Sequence, residues 1–170
     1  MEYLNAYDKD GNHIGKIERE AAHAESPGVY HKAVWVWFIN SKKEVLVQKR
    51  SKDKKSSPLK WDFPSAGHVE FGEDLLATCV RETEEELGIT IPKEKFEYLF
   101  RWQKGAWEFG ETFLVKADIP IKDMQINPEE VEQVKWLAFD AFKKLFYSSD
   151  FCGHSIEYKN KVIAYLRGKR

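Results

Sequence analysis

Cysteine is almost missing from this chain: Cys79 and Cys152 are the two in 170 residues. They form no C-x-x-C pair and suggest no disulfide framework, and Cys79 falls where a thiol would face a core. Long apolar runs are missing too. The longest, residues 33–39, is far shorter than the roughly twenty residues a bilayer crossing needs. No basic-then-apolar leader opens the sequence, so a cytoplasmic protein is expected. Nor does charge of one sign dominate, since 27 basic side chains meet 28 acidic ones for a formal net charge of -1. That balance gives no electrostatic footprint for a nucleic acid polymer or an anionic membrane, and it favours a small-molecule partner. No linker or repeat divides the chain, so we expect a single domain over 1–170, acting as monomer or homodimer.

What is present is a mixture of strand and helix signals. Residues 3–7 and 14–17 flank an Asp10-Gly11 turn, which predicts a small β-arm within 1–28, ahead of a core over 29–168. Residues 33–39, 45–49, 96–103, 108–117 and 131–137 read as strands, and 139–146 and 155–167 as helices, the last capped by Ser155. Residues 51–57 read as a mobile charged loop. Strands and helices without regular βαβ alternation predict an α+β fold, a mixed sheet between helices.

The segment 67–89, GHVEFGEDLLATCVRETEEELGI, carries the chemistry. Apolar residues recur at helical spacing, Glu73 and Asp74 sit at the favoured acidic start and Gly88 at the stop, predicting a helix over 74–87. Glu82, Glu85 and Glu86 then share a face, where three acids repel one another unless a cation lies between them. Oxygen ligands in such a cluster suit Mg²⁺ and phosphate. The guanidinium of Arg81 can hold one carboxylate, and a bare carbonyl near Gly67 or Gly72 can serve as a ligand. Arg50, at a strand end, is a phosphate-binding candidate. Trp61, Phe63, Trp102, Trp107 and Phe109 are each able to stack on a base or to pack in the core.

This string resembles the Nudix box, G-x5-E-x7-R-E-U-x-E-E-x-G-U with U apolar, through Gly67, Glu73, Arg81, Glu82, Glu85, Glu86, Gly88 and Ile89, with Thr83 departing at one U position. The resemblance implies an α/β/α sandwich that cleaves a diphosphate linkage in a nucleoside diphosphate derivative by water attack on phosphorus, with Mg²⁺ or Mn²⁺. It implies that Glu82, Glu85, Glu86 and the Gly67 carbonyl are metal ligands, that Glu82 or Glu85 serves in catalysis with Arg81 as orienter, and that Glu73 supports the site. A longer resemblance, over roughly 3–140, is to the branch containing isopentenyl-diphosphate isomerase. That isomerase uses a cysteine in a Cys-Gly-His segment; here the segment reads Ala66-Gly67-His68, and alanine offers neither thiolate nor proton. Its Glu-x-Glu pair falls on Phe109-Gly110-Glu111, with Glu108 adjacent, so His68 and Glu111 become candidate substrate contacts. His23, His31 and His68 match positions that hold a metal in the isomerase. The simpler expectation puts the cation on the carboxylates and leaves the histidines to packing or substrate. An isomerase-like enzyme and a nucleotide-sensing domain without catalysis stand as alternatives.

Overall fold

The computed structural model describes residues 2–23 and 28–168. The arm forms as expected from strands β1 (Tyr3–Tyr7) and β2 (His13–Glu18), paired antiparallel with Leu4 opposite Ile17. The Asp8 carboxylate accepts from the N–H groups of Asp10 and Asn12, both at 2.9 Å, and Gly11 takes φ +86°, which closes the turn. A short helix, α1 (Arg19–His23), follows β2 and was not anticipated. Residues 24–27 of the expected arm lie outside the described residues.

The main sheet contains β3 (His31–Ile39), β4 (Val45–Arg50), β5 (Trp61–Asp62), β6 (Ser65–His68), β7 (Glu97–Lys104), β8 (Glu108–Lys116) and β9 (Val131–Leu137). Its order is β5-β4-β3-β8-β7, with β6 pairing β3 and β9 pairing β4. β3 runs parallel to β8 and antiparallel to β4 and β6, so the sheet is mixed, as predicted. β3 pairs β6 through its first half, from Ala33 opposite His68 to Val36 opposite Ser65, and meets β4 at its far end, Ile39 opposite Val45. The sheet therefore forks between β4 and β6.

Both faces of β3 are covered, which explains its unbroken apolar run. Val34, Val36 and Phe38 pack toward α2 (Leu75–Leu87), whose Cys79 and Leu87 join them. Trp35, Trp37 and Ile39 pack toward α3 (Phe139–Phe146) and α4 (Ile156–Leu166), against Phe142, Phe146, Tyr158 and Val162. This is the helix–sheet–helix sandwich.

The segment 74–87 folds one residue shorter than expected, because Asp74 caps α2 from outside by accepting from Ala77 N–H at 2.7 Å. Gly88 ends it in the left-handed region at φ 63°, and a side chain there would collide with Gln125. Thr83, the polar departure in the apolar stripe, is buried and donates to Ser65 Oγ at 3.3 Å. Ser155 caps α4 as expected, accepting from Tyr158 N–H at 3.2 Å. β7 begins at Glu97 instead of 96 because Phe96 N–H closes a 3₁₀ turn onto Lys93 O. The charged loop at 51–57 is tethered, by Arg50 Nε donating to Ser56 O at 3.1 Å and by an ion pair between Lys54 and Glu130.

Candidate active site

Arg81 is the hub of the α2 carboxylates. Its Nε and Nη2 donate to the two oxygens of Glu73, both at 2.9 Å, a bidentate pair that fixes the guanidinium plane. Nη1 then reaches Glu82 Oε1 at 2.7 Å and Glu85 Oε2 at 3.2 Å, while Nη2 also donates to His68 O at 3.1 Å. Burial works against ionised Glu73, but the hydrogen bonds from Arg81 and Thr78 hold its pKa below the usual carboxylate value. Glu82 goes the other way. Burial, with Glu85 and Glu73 nearby, pushes it up to about 7 despite Arg81.

Glu86 enters the fork of the sheet. Its Oε2 accepts from Gln48 Nε2 on β4 at 3.2 Å and from Ala66 N–H on β6 at 3.1 Å. Burial first, and Glu82 second, raise its pKa well above the normal value. Gly67 lies against Glu82 so closely that a Cβ would occupy the space of the carboxylate. The pKa values of Glu82 and Glu86 are raised although Arg81 pairs with Glu82, and a divalent ion bound by Glu82, Glu86 and the 56 % exposed Glu85 would add the positive charge that burial calls for. The donor set thus fits Mg²⁺ or Mn²⁺, and Gly67 adjoins it at Glu82.

A second convergence lies on the other sheet face. The register puts His31 beside Glu108, and Ala33 beside both His68 and Gly110, on the side of Trp35. His23, from α1, completes the group, and among the described residues the ligand atoms of these three histidines all lie within 4.8 Å of one another. Glu108 Oε2 is 3.4 Å from His31 Nε2 and 4.0 Å from His68 Nε2. Burial drives His68 down to about 3, so its imidazole is neutral with a lone pair to offer. Neither ring nitrogen of buried His31 has a hydrogen-bond partner. Three imidazoles and a carboxylate form a donor set for a transition metal. The alternation of β8 turns Glu108 toward the histidines and Glu111 to the opposite face.

Glu111 sits on the α2 face in the row of Gly67 and Val34, two strands from Gly67 and so roughly 10 Å away. It is buried and accepts from Tyr98 Oη at 2.9 Å and Arg101 Nε at 2.8 Å. The structure does not bring it to the box carboxylates. Arg50 is likewise engaged, by Asp62 at 3.0 Å and by Ser56. Most of the candidate stacking rings pack on protein: Phe63 on Trp35, Phe109 on Tyr30, Trp102 near Tyr158, and Trp61 beneath Lys135 Nζ. Gln48 and Asn5 escaped the sequence reading, because their partners are tens of residues away and no local pattern marks them.

Comparison with known proteins agrees with this geometry. The profile of the NUDIX domain family matches residues 29–151. The chain is 33% identical over 161 residues to Nudix hydrolase 3 of Arabidopsis thaliana, covering 88% of itself but only 21% of that longer protein. It is 34% identical over 130 residues to an uncharacterized Nudix hydrolase of Listeria innocua, covering 74% of each, and 32% identical over 140 residues to the isopentenyl-diphosphate Delta-isomerase of Citrobacter koseri, covering 79% of this chain and 76% of the isomerase. In fold it is similar to the crystal structure of DR0079 from Deinococcus radiodurans, with a TM-score of 0.73 at 19% identity over 98% of both chains. With the domain profile spanning most of the chain and the box residues gathered around Arg81, this protein belongs to the Nudix family.

Proposed function

We propose that this protein is a divalent-cation-dependent hydrolase that cleaves the diphosphate linkage of a nucleoside diphosphate derivative or a related small molecule. The observation that carries the reading is the Glu73–Arg81–Glu82 chain beside buried Glu86, an intact orienting device next to acids that need a cation. Mg²⁺ or Mn²⁺ bound there would draw phosphate oxygens and lower the pKa of a water. Arg81 holds Glu82 through one oxygen and leaves the other to accept a proton from that water. Glu85 faces solvent, where an incoming phosphate arrives, and Glu86 is fixed from behind by Gln48 and Ala66. Of the expected site residues, His68 joins the histidine cluster, whereas Glu73 acts by holding Arg81.

Ala66 weighs against isomerisation, since β6 carries no thiol at that position. The nucleotide-sensing reading is disfavoured because none of Arg81, Glu82, Glu85 and Glu86 is lost. The histidine cluster adds a second reading of the metal count, a transition-metal site separate from the carboxylates. Assay of the purified protein with Mg²⁺ or Mn²⁺ against nucleoside di- and triphosphates, nucleotide sugars, dinucleotides and isopentenyl diphosphate tests the proposal. Phosphate-bond cleavage of any of these, abolished by EDTA, is expected; conversion of isopentenyl diphosphate alone would overturn it.

A further inference from the structure

The N-terminal arm precedes the residues that match the family profile, yet one of its side chains reaches the loop that starts the box helix. Asn5, on β1, is 6% exposed. Its Nδ2 donates to Glu70 O at 3.1 Å and Glu73 O at 3.2 Å, its Oδ1 accepts from Gly72 N–H at 3.2 Å, and its own N–H donates to Val69 O at 3.4 Å. Phe71 N–H adds a tie to Tyr3 O at 2.9 Å. Within the loop 69–73, Glu73 N–H donates to Glu70 O at 3.0 Å and Val69 N–H to Lys32 O at 2.9 Å, while Gly72 sits at φ +89°.

The packing role of β1 is filled by Leu4 and Ala6, which are buried on either side of Asn5. A buried carboxamide costs free energy unless its hydrogen bonds are made, and here three of them go to one loop. That loop delivers Glu73, whose carboxylate grips Arg81, whose Nη1 holds Glu82. We propose that Asn5 is a positioning residue for the carboxylate cation site: it fixes the loop so that Glu73 holds Arg81, and through it Glu82, in the ligating orientation. The inference rests on the hydrolase reading above and assigns part of that site to a segment outside the family profile.

The test is Mn²⁺ binding, read by electron paramagnetic resonance, with steady-state kinetics alongside. Wild type should bind Mn²⁺ and Glu82→Gln should lose most of that binding; failure of this pair would sink the hydrolase reading itself, and the proposal with it. Given that pair, Asn5→Ala should weaken Mn²⁺ binding about tenfold or more and lower kcat with little change in KM, as loss of an outer partner of a metal ligand does. Asn5→Asp keeps the acceptor for Gly72 and loses both donors, so it should fall between. Asn12→Ala loosens the arm's turn by removing a 2.9 Å bond to Asp8 without touching the loop. At equal folded fraction it should bind Mn²⁺ like wild type. Equal affinities for Asn5→Ala and Asn12→Ala would reduce Asn5 to a stabilising residue and overturn the proposal. Should Asn5→Ala not fold, wild-type affinity in Asn5→Asp has the same force.

Discussion

Gly67 and Glu82 adjoin so tightly that β6 has no room for a side chain where the Glu82 carboxylate lies. Gly67→Ala should therefore push Glu82 off its position while leaving the strand pairing with Val34 intact. We expect turnover to fall about a hundredfold, the usual consequence of an ångström's misplacement of a reacting group. Kinetics with a circular-dichroism check of folding measures it; near-normal turnover would show that Glu82 has slack this geometry denies it.

Arg81→Lys keeps the charge and loses the fork. An ammonium cannot bond both Glu73 oxygens, Glu82 and His68 O in fixed directions, so kcat should fall at least about tenfold. Glu86→Gln should lower turnover by about a hundredfold, because an amide is a poor ligand for a hard cation. Activity within a few fold of wild type in both variants would remove this cluster from the chemistry.

The raised pKa of Glu82 has a stability signature in cation-free protein. A carboxyl pushed from its ordinary value of 4.5 up to about 7 in the folded state stabilises the fold fully below pH 4.5, and that contribution is lost as pH rises through about 7. In EDTA, wild type should thus lose stability relative to Glu82→Gln between these pH values, and Mg²⁺ should restore the wild type at neutral pH. Thermal melts of both proteins across that range decide it; parallel profiles would mean that Glu82 titrates normally.

Crystals soaked in Mn²⁺ should show anomalous scattering at the histidine cluster as well as at the carboxylates, because His23, His31 and His68 already converge beside Glu108. The histidine peak should vanish in His31→Ala. A peak at the carboxylates alone would return the histidines to packing and substrate contact.

Thr83→Val should destabilise the protein by about 1 to 3 kcal/mol, since it strands the buried Ser65 hydroxyl of the pair. Urea unfolding measures this. An unchanged midpoint would mean that Ser65 finds another partner.

Local chemistry made much of this legible. The Asp74 cap, the Gly88 stop and the spacing of Arg81, Glu82, Glu85 and Glu86 are all written within fifteen residues, where helical geometry converts sequence distance into space. The β-arm likewise follows from Asp8, Gly11 and Asn12. Less legible were helix α1 and the acid facing the histidines, since alternation along β8 sends Glu108 to one sheet face and Glu111 to the other.

By itself, then, the sequence determined the box helix and the arginine that gathers its acids, because these depend on neighbours along one helix. Only the tertiary structure decided that Glu86 ends in a fork between Gln48 and Ala66, that Glu111 is locked by Arg101, that three histidines from separate elements meet behind the sheet, and that Asn5 holds the loop of Glu73. Those contacts join residues far apart in the chain, and strand register, which no local pattern specifies, is what brings them together.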